Sequence, residues 1–428
     1  MSRRPGALPV AAPVPPSLGL LRLHFGTALL WWVGGAAGVL LLSERLAAGA
    51  ALDPRVLGLT HVFTLGWITT TITGTLYQLF PGLLGVSARS YPVARWTWAA
   101  LTTGTAVLAG SLAGWRPAGL ATGWALLFLA VFLQAWNLLP QRRNAIRNRR
   151  VGWYFSVAHM GLGLAMAVAL VRIGDALDWW STPRIALLAA HFHFAALGFV
   201  TMTAVGAASR MLPVFLGSQG HPEWPLDWIW RLAAAGLLAF AFGVMASLAP
   251  FTWIGAGLMA GAVALFLGYA LGAFRHRARK PLDHAAAHLA AAFGWLAVAA
   301  GLGLGLLAVG PERPRLWVAY AMATLLGWAS LLIAGVLYRV LPAITWNHLY
   351  GQLGGRPGMP RPEDLSRPAW GWWSLGLLDT ALLVLLLGAA LGQPLATRLG
   401  AAGYLAGTLV VFLHHARLLV LRGGRPLD

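Results

Sequence analysis

Apolar runs about twenty residues long, separated by short polar stretches, fill almost the whole chain. A helix crosses the hydrocarbon core of a bilayer with about 20 such residues. The pattern predicts twelve crossings, at 19–42, 56–80, 97–114, 119–139, 152–172, 185–212, 228–248, 252–273, 285–309, 316–341, 372–391 and 396–420. The longest stretch between them, 343–371, is too small to fold alone. The fold class read from this pattern is all-α: one polytopic membrane domain over 1–428, in contact with lipid.

Composition sharpens that reading. Of 428 residues, 58% are hydrophobic and 10% charged, against roughly 25% charged in soluble domains. The net charge of +19 would suggest nucleic acid in a soluble protein. Here the basic residues fall in runs between apolar spans: Arg142, Arg143, Arg147, Arg149 and Arg150; Arg275, Arg277, Arg279 and Lys280; Arg422 and Arg425. That is the positive-inside pattern. It implies no nucleic-acid partner, a bacterial-type inner membrane and both termini in the cytoplasm. The absence of cysteine excludes disulfides, zinc fingers, thiolate-ligated or c-type haem, and iron–sulfur clusters.

An internal repeat carries the most information. The second span reads His61-Val-Phe-Thr-Leu-Gly66, then Gly74 and Pro81. The sixth reads His193-Phe-Ala-Ala-Leu-Gly198, then Gly206 and Pro213. The tenth reads Met322-Ala-Thr-Leu-Leu-Gly327, then Gly335 and Pro342. The spacings 5, 8 and 7 recur in all three, and an aromatic follows the first glycine each time (Trp67, Phe199, Trp328). Spans one, five and nine match too, through His24, His159 and His288. The chain therefore reads as three blocks of four helices, approximately 19–140, 152–274 and 284–420. The glycines are expected to serve close packing, and the prolines to end the inner helices.

Three four-helix arcs about a pseudo-threefold axis resemble the catalytic subunit of the haem–copper oxidases. The segment His191-Phe-His193-Phe, with Gly198, Gly206 and Pro213 beyond it, is similar to that family's helix bearing a His-x-His pair. It also resembles the NnrS-like proteins, which show His-x-His and then glycine five residues on. The resemblance implies a short, divergent relative that binds haem b, one or two per chain. It implies electron transfer, or chemistry on nitric oxide or oxygen, with a donor protein or quinol as electron source and a small diatomic gas as the other partner. An NnrS-like protein would instead act without catalysis, in nitric oxide response or oxidase assembly. The departures are plain. Spans three, seven and eleven lack the adjacent histidine pair that holds copper in the oxidases, and the tenth has no histidine. A standard copper site and strong oxygen reduction are therefore not expected.

His61, His191 and His193 are the candidate haem or metal ligands, since polar groups inside apolar spans are costly and usually functional. Residues two apart on a helix point about 200° apart, so His191 and His193 face different compartments. The simplest pairing sets His61 against His191, leaving His193 to face Tyr320 or Met322 as further cofactor-binding residues. His24, His159 and His288 form a second repeat set, read as independent packing or interfacial histidines with a metal trio as the alternative. His284 and His288 share a face at i, i+4, a spacing that suits a metal, but both sit by a basic loop, so a solvated face is expected; His414-His415 read as interfacial. Arg210 and Arg339 occupy one repeat position and are expected to snorkel. Asp379 is the one acid well inside a span, a proton-relay candidate or a simple hydrogen-bond acceptor. Most of the 22 tryptophans suit an aromatic belt, Trp31, Trp32, Trp179, Trp180, Trp372 and Trp373 among them. A transporter is the rival reading of twelve spans. Transporters usually show two halves or inverted repeats, whereas this repeat is three by four.

Overall fold

A computed structural model describes residues 14–144, 148–278, 281–310, 312–351 and 360–421, without the side chains of 142–144. Arg147, Arg279, Lys280, Arg422 and Arg425 lie outside the described residues, as do the side chains of Arg142 and Arg143. Among the described residues there is no strand. Twelve long helices follow in order: α1 (Leu18–Leu41), α2 (Pro54–Leu84), α3 (Tyr91–Ala113), α4 (Pro117–Leu138), α5 (Arg149–Ala176), α6 (Arg184–Leu216), α7 (Pro225–Met245), α8 (Ala249–Arg275), α9 (His284–Val309), α10 (Pro314–Leu349), α11 (Pro368–Leu391) and α12 (Pro394–Val420). Eleven of these are long and apolar enough to cross a membrane, and the protein is an integral membrane protein. The remaining one, α3, has the length but carries Arg95 and a series of threonines.

Sequence neighbours α3 and α4, α7 and α8, and α11 and α12 form tightly packed hairpins. The last helix also packs on the first, and Arg22 of α1 donates to the Leu421 carbonyl at 2.7 Å. Both described ends of the chain therefore lie at one end of the bundle, called here the terminal end. Buried side chains concentrate on α2, α6 and α10; in α10, 78% of the apolar window is buried, against 28% in α4.

The inner helices do not stop at their prolines. Pro213 lies within α6 and Pro342 within α10, while Pro81 sits in a wide terminal turn of α2. A proline removes one backbone donor and bends a helix, but the stop is set four residues later. Gly85 and Gly217 adopt left-handed φ of 69° and 62° there, a conformation that glycine tolerates without a Cβ clash. After Gly217, the Ser218 N–H donates back to the Pro213 carbonyl at 2.8 Å. The corresponding position in α10 is Trp346, and that helix runs on to Leu349.

The repeat glycines pack helix against helix. A Cβ on Gly66 would stand 2.6 Å from Trp31, and one on Gly327 would stand 2.7 Å from Trp295. Gly74 and Gly335 lie in the same way against His24 and His288. Trp31 and Trp32 are therefore not belt residues. They sit in mid-α1, where Trp32 is fully buried and stacks on Trp67 with centroids 4.3 Å apart. Trp179, Trp180, Trp372 and Trp373 are exposed, as a belt requires. Arg210 and Arg339 do not simply snorkel: each has a carboxylate partner, Glu223 and Asp283 respectively.

Candidate functional site: histidines beside three widened turns

Each inner helix widens at the same place. Backbone bonds switch from i→i−4 to i→i−5 over Val62–Thr69 in α2, Phe194–Thr201 in α6 and Ala323–Ala329 in α10. These π segments begin directly after His61, His193 and Met322. The residue three beyond the first glycine is Thr69, Thr201 or Ser330, and in each case its hydroxyl donates to the carbonyl five residues back, at 2.7, 2.8 and 2.7 Å. Such π turns are rare and concentrate at functional sites. The repeat tryptophans link them. Trp67 Nε1 donates to Ser330 Oγ at 3.0 Å, and Trp328 Nε1 donates to Thr201 Oγ1 at 3.2 Å. Phe199, the third equivalent, has no N–H to give.

His61 and His191 come together at the end of the bundle opposite the termini. Each lies seven residues into its helix, about 10 Å at 1.5 Å per residue. Their ring centroids are 6.2 Å apart. His61 Nδ1 donates to the Leu57 carbonyl at 2.8 Å, and His191 Nδ1 donates across to Ala165 of α5, also at 2.8 Å. Each Nδ1–H being spent on a carbonyl, the tautomer leaves the Nε2 lone pair free, the arrangement in which imidazole binds a metal. Two imidazole–metal bonds of about 2 Å each, plus half a ring on either side, put centroids about 6 Å apart. The observed separation fits a bis-imidazole haem.

His193 turns the other way, as a residue two along the helix must. Its Nδ1 donates to Ala189 at 2.8 Å, and its Nε2 accepts the Tyr320 hydroxyl at 3.1 Å. Tyr320 in turn packs over Gly303 of α9, where a Cβ would meet its ring at 3.2 Å. Beside this pair lies a cavity of about 700 Å³, walled mainly by apolar residues of α6 to α10, with Thr201, Thr324 and Trp328 also on its lining. Met322 is buried and does not reach the cavity wall.

His24, His159 and His288 stay apart, each with Nδ1 bonded to the carbonyl four residues back. Asp379 accepts the Trp295 indole N–H at 2.7 Å, tying α11 to α9. In the loop after α6, His221 is held below the usual imidazole range by burial, partly opposed by Glu223. His284 and His288 are not on a solvated face and His414-His415 are not interfacial. All four are buried, at 7%, 0%, 1% and 0% exposure, around Tyr338. Spacing marks His284 with His288 and His414 with His415 as two pairs but does not join them, because they lie at the start of α9 and the end of α12. Among the described residues, no group of three or more histidine, aspartate or glutamate side chains is placed so that it could hold a metal ion.

No known protein family and no curated protein matches the chain.

Proposed function

We propose that this protein is a haem-binding redox protein of the bacterial-type inner membrane, a divergent relative of the haem–copper oxidases and NnrS-like proteins. It acts in electron transfer or in nitric oxide or oxygen chemistry. In this reading α3 is the twelfth crossing, and the helices form three four-helix arcs with α2, α6 and α10 innermost. The three π segments at equivalent positions support the arcs. So does the direction of the indole bonds, from the first block to the third and from the third to the second. The arginines at the terminal end support a cytoplasmic location for both termini.

The observation that carries the function is the pair His61 and His191: two imidazoles on different inner helices, 6.2 Å apart, each tied through Nδ1. They would hold one b-type haem, which when bound supplies a one-electron carrier. The carbonyls of Leu57 and Ala165 fix both rings and raise their basicity as ligands. His193, Tyr320 and the cavity beside them form a second compartment, with room for a second haem or a gas. With no cysteine in the chain, electrons come from a donor protein or quinol. Tyr320 holding the Nε2 of His193 favours a second, non-oxidase reading, in which the protein relays electrons or serves nitric oxide response or oxidase assembly.

A reduced-minus-oxidised spectrum of the purified protein tests the reading. A low-spin b-type signal is expected, and His61→Ala should abolish it. A chain without haem, or a spectrum unchanged in that variant, refutes it. Turnover of nitric oxide or oxygen with an artificial donor then separates the catalytic reading from the non-catalytic one.

A further inference from the structure

A cationic corner stands at the terminal end of the bundle, where the turn Pro362–Leu365 leads into α11 and α12 comes to its close. Arg417 of α12 donates from Nη2 to the Leu365 carbonyl, which fixes it beside that turn. Arg367, the residue before α11, lies close enough to Arg417 to interact electrostatically, and both act on His414 of α12. His414 is 1% exposed and has Trp370 of α11 beside it, with ring centroids 6.4 Å apart.

The corner is rich in donors and short of acceptors. Ser366 Oγ, Arg417 Nε and both ring nitrogens of His414 are buried with no hydrogen-bond partner. Among the described residues, neither Arg367 nor Arg417 forms an ion pair. The acids of the adjoining turn do not answer this charge: Asp364 accepts the Arg361 N–H at 2.7 Å, and Glu363 is exposed. Buried polar groups are normally satisfied, and like charges held together away from water without a counter-charge are costly. Arg367 is also the N-cap residue of α11, and its side chain makes no cap bond. The N-terminus of that helix, with backbone N–H groups lacking intrahelical partners, therefore adds its own preference for an anion.

Two guanidinium groups, a hydroxyl and a helix N-terminus are the donor set that a phosphate group takes. Depth indicates its source. Trp372 and Trp373, 47% and 71% exposed, follow Arg367 within two turns of α11. Exposed indoles at a helix end stand at the level of the lipid headgroups, and basic residues at that level hold anionic lipids. We propose that Arg367, Arg417, Ser366 and His414 form a binding site for the phosphate of an anionic lipid headgroup, a soluble phosphate being the other source of the same chemistry. The site is separate from His61 and His191 and does not depend on the haem reading.

The test is native mass spectrometry of the full-length protein, stripped of lipid in detergent and titrated separately with phosphatidylglycerol, phosphatidylcholine and inorganic phosphate. One phosphatidylglycerol per chain should bind in preference to phosphatidylcholine. Arg367→Gln and Arg417→Gln should each weaken it about fivefold or more. Arg398→Gln removes the same charge at the opposite end of α12 and should leave it unchanged. Inorganic phosphate bound with the same arginine dependence, and no preference for phosphatidylglycerol, would support the site and assign it to a soluble phosphate. Monodisperse elution checks that each variant is folded; Arg367 is exposed, so its variant serves even where Arg417→Gln does not fold. Phosphatidylglycerol bound no better than phosphatidylcholine with no binding of phosphate, or binding unaltered in Arg367→Gln, overturns the proposal.

Discussion

Gly161 of α5 is where a single methyl group tests both the packing and the site. A Cβ there would stand 2.5 Å from the carbonyl carbon of Gly198 and 2.6 Å from its oxygen. Both are backbone atoms of α6 and cannot swing aside. Ordinary contact begins at 3.4 Å, so the two helices must part by about 0.9 Å. One turn further along α5, the Ala165 carbonyl accepts from His191 Nδ1 at 2.8 Å. A displacement of that size stretches the bond to about 3.7 Å, outside hydrogen-bonding range. Overpacking costs about 1–3 kcal/mol, and the lost hydrogen bond adds about 1 kcal/mol. Gly163 is the control. It lies on the exposed face of the same helix, and a Cβ added there would meet nothing within 4 Å. Alanine there gains up to about 1 kcal/mol of helix propensity. Thermal unfolding in detergent should show Gly161→Ala several degrees below wild type and Gly163→Ala at or above it. The haem spectrum should be perturbed in Gly161→Ala alone. Equal melting of the two variants would refute the close α5–α6 contact and the coupling to His191.

Three further substitutions address neighbouring features. Tyr320→Phe removes the partner of His193 and should alter any ligand in the adjacent cavity while leaving the His61/His191 signal intact, read by spectroscopy of the purified variant. Asp379→Asn keeps an acceptor for Trp295 and should melt near wild type, whereas Asp379→Leu strands the indole N–H and should cost about 1–3 kcal/mol; a proton-relay role would instead make Asn as damaging to activity as Leu. Trp328→Phe removes the donor to Thr201 and should lower stability by about 0.5–1.5 kcal/mol, with the same expected of Trp67→Phe toward Ser330.

Much of the architecture is legible because membrane helices announce themselves. A bilayer admits few structures, so apolar length alone locates the helices. The boundaries stray where local backbone chemistry overrides hydropathy. Pro342 looks like a stop because proline usually is one, yet the left-handed glycine that ends α2 and α6 has no equivalent in α10. Trp31 and Trp32 look interfacial because tryptophan often is, but the glycine at 66 opens a slot that only a helix-buried indole fills.

The site is readable to the extent that it repeats. Helical geometry alone separates His191 from His193, and the repeat sets His61 level with His193, with His191 two residues, about 3 Å, away along the helix. The π segments are not readable, because nothing in a run such as Phe-Ala-Ala-Leu-Gly-Phe-Val-Thr differs in polarity from an ordinary helix. Their trace is the hydroxyl three residues past the glycine, which reaches a carbonyl one residue further back than in an α-helix. A π turn adds one residue relative to an α turn, so each inner helix changes its register between the histidine end and the Gly74, Gly206 and Gly335 end. Histidines on one side of that turn and packing glycines on the other can then be oriented independently. This is the physical reason for one widened turn to stand directly after His61 and another directly after His193, while a third is kept after Met322, where no imidazole needs aiming: the indole of Trp67 still has to meet Ser330 of that turn.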